Sequence, residues 1–218
     1  MNRTRIEWCE YSFNPITGCL GGCSFCYARK IAMRFTGHFR PTFHPERLGQ
    51  PLKIKKPSRI FADSMSDFWG EGVKQEWRNK VYKTMRKTPQ HTYFLLTKRP
   101  DRITDERKIP ENAWVGVSIT CPKDTWRITS IIHKRLDFFV SLEPLLDDKI
   151  SDWIYFSDWI IVGALTGHKN GFIPKKSTIR EIIKKCETYG IPLFIKDNVK
   201  YDKIIQQFPH IFQHVTAP

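Results

Sequence analysis

The sequence predicts an α/β fold, a partial parallel β/α barrel of about six or seven strands. Short, continuously apolar runs recur along the 218 residues, amphipathic stretches separate them, and each apolar run ends in a cluster of polar side chains. Runs that are apolar throughout, rather than alternating, suit strands covered on both faces.

In chain order, an early strand is expected near Ser12–Ile16, followed by a helix over Cys26–Thr36. A strand over Arg59–Asp63 leads to a helix over Glu71–Lys87, and Thr92–Thr97 and Trp114–Ile119 are the next strands. A helix over Asp124–His133 precedes the strands Phe138–Leu142 and Trp159–Gly163. The last helix, Lys176–Tyr189, is expected to start near the capping residues Ser177 or Thr178 and to stop at Gly190, before Pro192. Pro192–Ile195 closes the series. No linker, repeat or low-complexity tract interrupts it, so residues 1–218 read as one domain.

The polar clusters fall where a parallel barrel carries its chemistry, at the C-terminal strand ends. They are Asp63-Ser64-Met65-Ser66-Asp67, Thr97-Lys98-Arg99, Ser118-Ile119-Thr120-Cys121, Ser141-Leu142-Glu143-Pro144, Gly163 to His168, and Lys196-Asp197-Asn198. Helix capping accounts for a serine such as Ser64 or Ser118. It does not account for Lys98, Glu143 or Lys196 directly after apolar strands.

Cys19, Cys23 and Cys26 have the spacing C-x3-C-x2-C on a short loop containing Gly21 and Gly22. Three thiolates on such a loop can hold three corners of a cubic 4Fe–4S cluster and leave the fourth iron open. A closed zinc site takes four ligands, and electron-transfer clusters usually have four cysteines. The glycines allow a tight fold around the cluster, and Phe25 can shield one face from water. Two other readings stay open: a zinc site completed by His38 or His44, and structural thiols. Cys9 and Cys186 are expected to be structural.

The cysteine motif resembles the signature of the radical S-adenosylmethionine (SAM) superfamily. Further runs resemble a small radical-SAM-like family of phages and prokaryotes. They include Phe13-Asn14-Pro15-Ile16-Thr17-Gly18-Cys19, Ser64-Met65-Ser66-Asp67, Leu96-Thr97-Lys98-Arg99-Pro100, Trp114 to Ser118, Ser141 to Leu146 and Trp159 to Gly163. The resemblance implies the superfamily's partial barrel, a 4Fe–4S cluster on Cys19, Cys23 and Cys26, and SAM on the open iron. It also implies an external electron donor and hydrogen abstraction by a 5′-deoxyadenosyl radical. The Gly-Gly-Glu-type run of better-known members is missing, and Ser64–Asp67 stands in its place. Ser64, Ser66 and Asp67 are therefore assigned to the methionine part of SAM, Ser118 to its ribose and Gly163 to its adenine. Glu143, Lys98 and Cys121 are the candidate catalytic residues. Glu143 would bind SAM or orient substrate, and the Cys121 thiol would return a hydrogen atom to a substrate radical. Its alternative is a small buried residue.

The chain carries 36 Lys+Arg against 22 Asp+Glu, a formal charge of +14. That excess points to a polyanionic partner, nucleic acid, with DNA expected over RNA. Base modification or lesion repair is the expected activity. A small-molecule radical SAM enzyme and a non-catalytic iron–sulfur or zinc nucleic-acid-binding protein are the alternatives. Tyr27, Trp69 and Trp126 are candidate stacking platforms for bases. No apolar run is long enough to span a membrane, and the first residues lack a secretory signal, so a cytoplasmic location is expected.

Overall fold

The computed structural model describes residues 1–134, 136–166 and 171–210. The strands are β1 (Asn2–Arg3), β2 (Tyr11–Phe13), β3 (Ile16–Thr17), β4 (Thr42–Phe43), β5 (Arg59–Ala62), β6 (Thr92–Thr97), β7 (Ala113–Ser118), β8 (Phe138–Leu142), β9 (Trp159–Val162) and β10 (Leu193–Ile195). Four α-helices accompany them, α1 (Tyr27–Thr36), α2 (Gln75–Arg86), α3 (Trp126–Thr129) and α4 (Lys176–Tyr189). Eight strands form one mostly parallel sheet in the order β1-β2-β5-β6-β7-β8-β9-β10, and β3 pairs with β4 apart from it. The pairs β2–β5, β5–β6, β8–β9 and β9–β10 are parallel. The expected α/β class with a parallel sheet is what the chain adopts.

The sheet has one strand more than expected. β1 is only two residues, polar and exposed, and runs antiparallel to β2, so no apolar run announced it. The early strand ends at Phe13 and chain pairing resumes at Ile16. Pro15 lies between and has no N–H for a ladder. α2 begins at Gln75 rather than Glu71 because Gly72 sits at φ 82, a left-handed turn outside any helix. The expected helix over Asp124–His133 shrinks to α3 after a 3₁₀ turn at Pro122–Asp124.

α4 has the expected span, but its N-cap is Lys175, and Ser177 and Thr178 lie inside the helix. Asp148 supplies the acceptors at that end. It takes the Lys175 N–H at 2.9 Å and the Thr178 hydroxyl at 3.0 Å. At the other end Gly190 adopts the left-handed conformation of a C-cap, as expected.

Contacts gather the chain into two compact units. In the first, Met1–Val115, the core is aromatic. Trp8 lies 4.9 Å from Phe61 and 5.5 Å from Phe94, ring centre to ring centre. α2 turns Val81, Tyr82 and Met85 inward, each fully buried, at about 1.5–3 kcal/mol per large apolar side chain. The buried Asp105 carboxylate anchors this helix. One oxygen accepts from the Trp69 indole at 3.0 Å, and the other from Gln75 at 2.7 Å and from Arg78 and Tyr82 at 3.2 Å. Burial alone would raise the Asp105 pKa, but the donors from Gln75, Trp69 and Arg78 hold it below the usual carboxylate range.

The second unit starts at Gly116. β8, β9 and β10 are buried at every residue, as their unbroken apolar sequences require. Phe139 and Trp159 sit 5.5 Å apart. A Cβ on Gly116 would lie 2.2 Å from the Phe139 ring, so that position admits only glycine. α4 packs through Ile179, Ile182 and Cys186.

Candidate cofactor-binding loop and strand-end clusters

Gly18 fixes where the cysteine loop starts. Its φ is +86, and an added Cβ would lie 2.0 Å from the Arg40 carbonyl oxygen. Its N–H donates to the Met65 carbonyl at 2.9 Å, and the Cys19 N–H donates to the Phe39 carbonyl at 2.9 Å. The chain therefore enters the loop held between two neighbouring segments. It leaves through Cys26, which caps α1, its sulfur accepting from the Arg29 N–H at 3.4 Å. The Cys19 sulfur accepts from the Gly21 N–H at 3.2 Å. Arg29 reaches back from α1 to the Gly21 carbonyl at 2.5 Å and lays its guanidinium over Phe39.

All six cysteines are free; Cys19, Cys23 and Cys26 are partly exposed, whereas Cys9 and Cys186 are buried. Burial, the largest influence, raises the Cys19 pKa. The Gly21 amide opposes this, and the charges of Asp67, Cys23 and Cys26 add to it. The three thiols thus lie close enough to feel one another. A cationic partner relieves that repulsion.

Among the described residues no three His, Cys, Asp or Glu side chains converge on one point as a single metal ion requires. The donor chemistry fits a cluster that takes its thiolates at separate corners: three free sulfurs on one loop, with backbone amides turned toward two of them. His44 has both ring nitrogens engaged, one 2.8 Å from the Thr17 hydroxyl and the other 3.4 Å from Glu46.

Beside this loop lie the ends of β5 and β6. Gly18 and Ser66 form a parallel bridge. The Asn14 side-chain oxygen accepts from the Ser64 hydroxyl and the Met65 N–H, each at 3.1 Å. The Tyr27 hydroxyl, on the first residue of α1, donates to the Ser64 carbonyl at 2.8 Å. The Ser66 hydroxyl is buried with no hydrogen-bond partner. Asp67 accepts from the Thr97 hydroxyl at 2.5 Å and the Lys98 N–H at 2.9 Å, tying the two strand ends together. The Lys98 ammonium lies over the Phe25 ring, 5.7 Å from its centre, so this strand end reaches the cysteine loop.

Sequence reasoning gave no role to Asn14 or Arg29, which order these segments, or to Asp63. Asp63 is 2 % exposed, sits at φ 58 and accepts from the Ile16 N–H at 2.9 Å. Its other carboxylate oxygen is buried and unpartnered. An acidic residue closing an apolar strand was the available signal.

In the second unit, Ser118 ends β7 with its hydroxyl buried and unpartnered. Its carbonyl accepts from Arg127 at 2.7 Å, and Arg127 pairs with Asp124 at 2.7 Å. Asp124 also accepts from the Thr120 N–H and hydroxyl at 2.8 and 2.7 Å. Cys121 is partly exposed between these residues. Glu143 pairs with Lys196 at 2.8 Å, both largely shielded from solvent. A Cβ on Gly163 would lie 2.9 Å from Glu143 Cγ and 3.2 Å from Lys196 Cδ. The close approach that Gly163 permits in this structure is that of the ion pair. Asn198 exchanges hydrogen bonds with the Ala164 N–H and carbonyl at 3.1 and 3.0 Å. The end of this cluster, Gly167 and His168, lies outside the described residues.

Of the three candidate platforms, Trp69 is corrected. It is fully buried with its indole N–H on Asp105, because the aromatic core of the first unit claims it. Tyr27 and Trp126 are exposed.

A family model described as Protein of unknown function (DUF5131) matches residues 3–210, and the chain belongs to that family. No curated protein matches the chain by sequence. Among solved structures it is similar to a cysteine-to-serine mutant of spore photoproduct lyase, at 12% identity and TM-score 0.56, covering 86% of this chain and 75% of that one. It is also similar to spore photoproduct lyase complexed with dinucleoside spore photoproduct, at 14% identity and TM-score 0.53, covering 89% and 57%. A double mutant of that enzyme with bound AdoMet and the dinucleoside gives 14% identity and TM-score 0.54, covering 84% and 62%. At these identities the likeness is one of fold, and the fold is the radical SAM type of partial barrel.

Proposed function

We propose that this member of the DUF5131 family is a radical SAM enzyme that acts on nucleic acid, DNA in the first instance, in base modification or lesion repair. The observation that carries the reading is the loop holding three free, partly exposed thiols between Gly18 and the N-terminus of α1. The charge of +14 and a fold shared with a lyase solved with AdoMet and a dinucleoside lesion support the substrate class.

Cys19, Cys23 and Cys26 would hold a 4Fe–4S cluster. When bound, that cluster and SAM supply reductive cleavage of the sulfonium, with the electron from an external donor. The chain's own residues supply the frame. Ser64, Ser66 and Asp67 are assigned to the methionine part of SAM, and Asp67 also braces the β5 and β6 ends. Phe25 and Lys98 screen the loop from water. In the second unit Ser118 is assigned to the ribose and Gly163 to the adenine, Glu143 and Lys196 act as an orienting pair, and the Cys121 S–H is the hydrogen-atom donor to a substrate radical. Membrane attachment is not part of the reading, and no helix among the described residues is long and apolar enough to cross a membrane. The cytoplasm, where thiols stay reduced, is the proposed location.

The test is anaerobic reconstitution with iron and sulfide, followed by SAM and dithionite. Wild type should gain broad visible absorption and release 5′-deoxyadenosine. Cys19→Ala, Cys23→Ala and Cys26→Ala should each lose both together. Cys121→Ala should keep SAM cleavage and change the products formed on a lesion-bearing oligonucleotide. A wild-type protein that binds only zinc and leaves SAM intact would overturn the enzyme reading.

A further inference from the structure

In the first unit the outward face of α2 carries Lys80 and Lys83, and Lys87, the C-cap residue in αR conformation, continues the same side of the helix. All are exposed, and none has an ion-pair partner among the described residues. Glu76 is the one acidic residue of α2. Lys80 is held over the Phe43 ring at 5.5 Å, and Lys74 over the Trp77 ring at 5.8 Å. The two rings are themselves stacked at 5.6 Å. These ammonium groups are positioned by aromatic faces and remain unneutralised.

The basic strip continues past the helix. The Gln90 amide donates to the Ile54 carbonyl and the His91 ring lies against the Pro51 carbonyl, both at 3.4 Å. These contacts hold the segment bearing exposed Lys53, Lys55 and Lys56 against the turn after Lys87. β5 and β6 begin just beyond that turn. The strip therefore runs from the N-terminal edge of these strands back along α2, outside the strand ends that carry Ser64 and Lys98. Three surface lysines of the second unit are instead paired with nearby carboxylates. Lys175 pairs with Asp148, Lys176 with Asp202, and Lys185 with Asp152 and Glu181.

We propose that the strip Lys80–Lys83–Lys87 with Lys53, Lys55 and Lys56 is a track for the phosphate backbone of nucleic acid, binding it without regard to sequence. It rests on the nucleic-acid half of the function proposed above and on none of its radical chemistry. Lys80 to Lys87 spans about 10 Å at 1.5 Å per residue, and duplex DNA carries a charge per about 1.7 Å of axis. Each lysine can therefore meet its own phosphate. The carbon stems lie on protein while the ammonium heads stay in water, where phosphates reach them.

The experiment uses the full chain and fluorescence anisotropy with labelled DNA and RNA duplexes, titrated with salt. The K80Q/K83Q/K87Q variant should bind both at least ~10-fold more weakly at moderate salt, and its slope of log affinity against log salt should be shallower by roughly 2–3. K53Q/K55Q/K56Q should behave alike. K175Q/K176Q should bind like wild type. SAM cleavage without substrate should stay at the wild-type rate in all three. Unchanged affinity and slope in both strip variants would overturn the track. So would a strip that governs binding to phosphatidylserine vesicles while leaving duplex binding untouched. Duplex binding that depends on the strip in a protein unable to cleave SAM would sink the enzyme reading and leave the track standing.

Discussion

Asp63 stands at the end of β5 with its carboxyl out of water. Burial raises its pKa well above the usual carboxylate range, and the Ile16 amide offsets that only in part. The unfolded chain releases the same proton near a pKa of about 3.9. Between those two values the folded protein binds more protons than the unfolded one, so this residue makes stability fall as pH rises through the window. Asp63→Asn keeps an acceptor for the Ile16 N–H, tolerates the positive φ and does not titrate. Its urea midpoint should gain on that of wild type as pH rises above the unfolded pKa of about 3.9. Asp63→Ala should cost about 1–3 kcal/mol, because the buried Ile16 amide is left without a partner. A constant gap between Asn variant and wild type across the pH series would mean that Asp63 is ionised in the fold. The sequence showed an acid at the end of an apolar strand; it did not show that one oxygen would have no partner. Gly18 is a similar case. Its place beside Cys19 was plain, but the need for glycine comes from the Arg40 carbonyl, 22 residues further along the chain.

At the scale of elements, periodicity located β6, β8 and α4 to the residue and the other long elements to within a few positions. What escaped it depended on partners distant in sequence. The α4 cap comes from Asp148, and β1 exists only as a polar edge to β2. The cysteine loop was legible because its spacing is local. The Asn14, Arg29 and Asp67 contacts that order its surroundings were not, because they join separate segments. α2 depends on one such contact. Asp105 faces Arg78, with both side chains at least nine-tenths buried, and also receives Trp69, Gln75 and Tyr82. Truncating one partner of a buried pair leaves the other charge stranded, so Asp105→Ala should cost about 3–5 kcal/mol. The guanidinium midpoint should drop with little change in slope. A loss as small as that of a surface substitution would show that water reaches Arg78 in the variant.

For the whole molecule the governing quantity is the excess of 36 basic over 22 acidic side chains. Self-repulsion destabilises a compact state, and salt weakens both that repulsion and the favourable ion pairs, so the sign of the salt effect depends on which is larger. Several of the pairs lie where they contribute little. In Lys176–Asp202 the side chains are 58% and 76% exposed, and exposed pairs are worth about 0–1 kcal/mol. The pairs that hold the fold, Arg78–Asp105 and Lys196–Glu143, are shielded and therefore weakly screened. Repulsion among unpaired lysines, those along α2 foremost, acts through solvent over distances comparable to the screening length. That length falls from about 30 Å at about 0.01 M salt to about 8 Å at about 0.15 M. Potassium chloride should therefore raise Tm by a few degrees over this range, and K80Q/K83Q/K87Q should start with a higher Tm and respond less. A Tm that falls with added salt would show instead that exposed ion pairs outweigh the repulsion, and that the basic excess is balanced in the folded state.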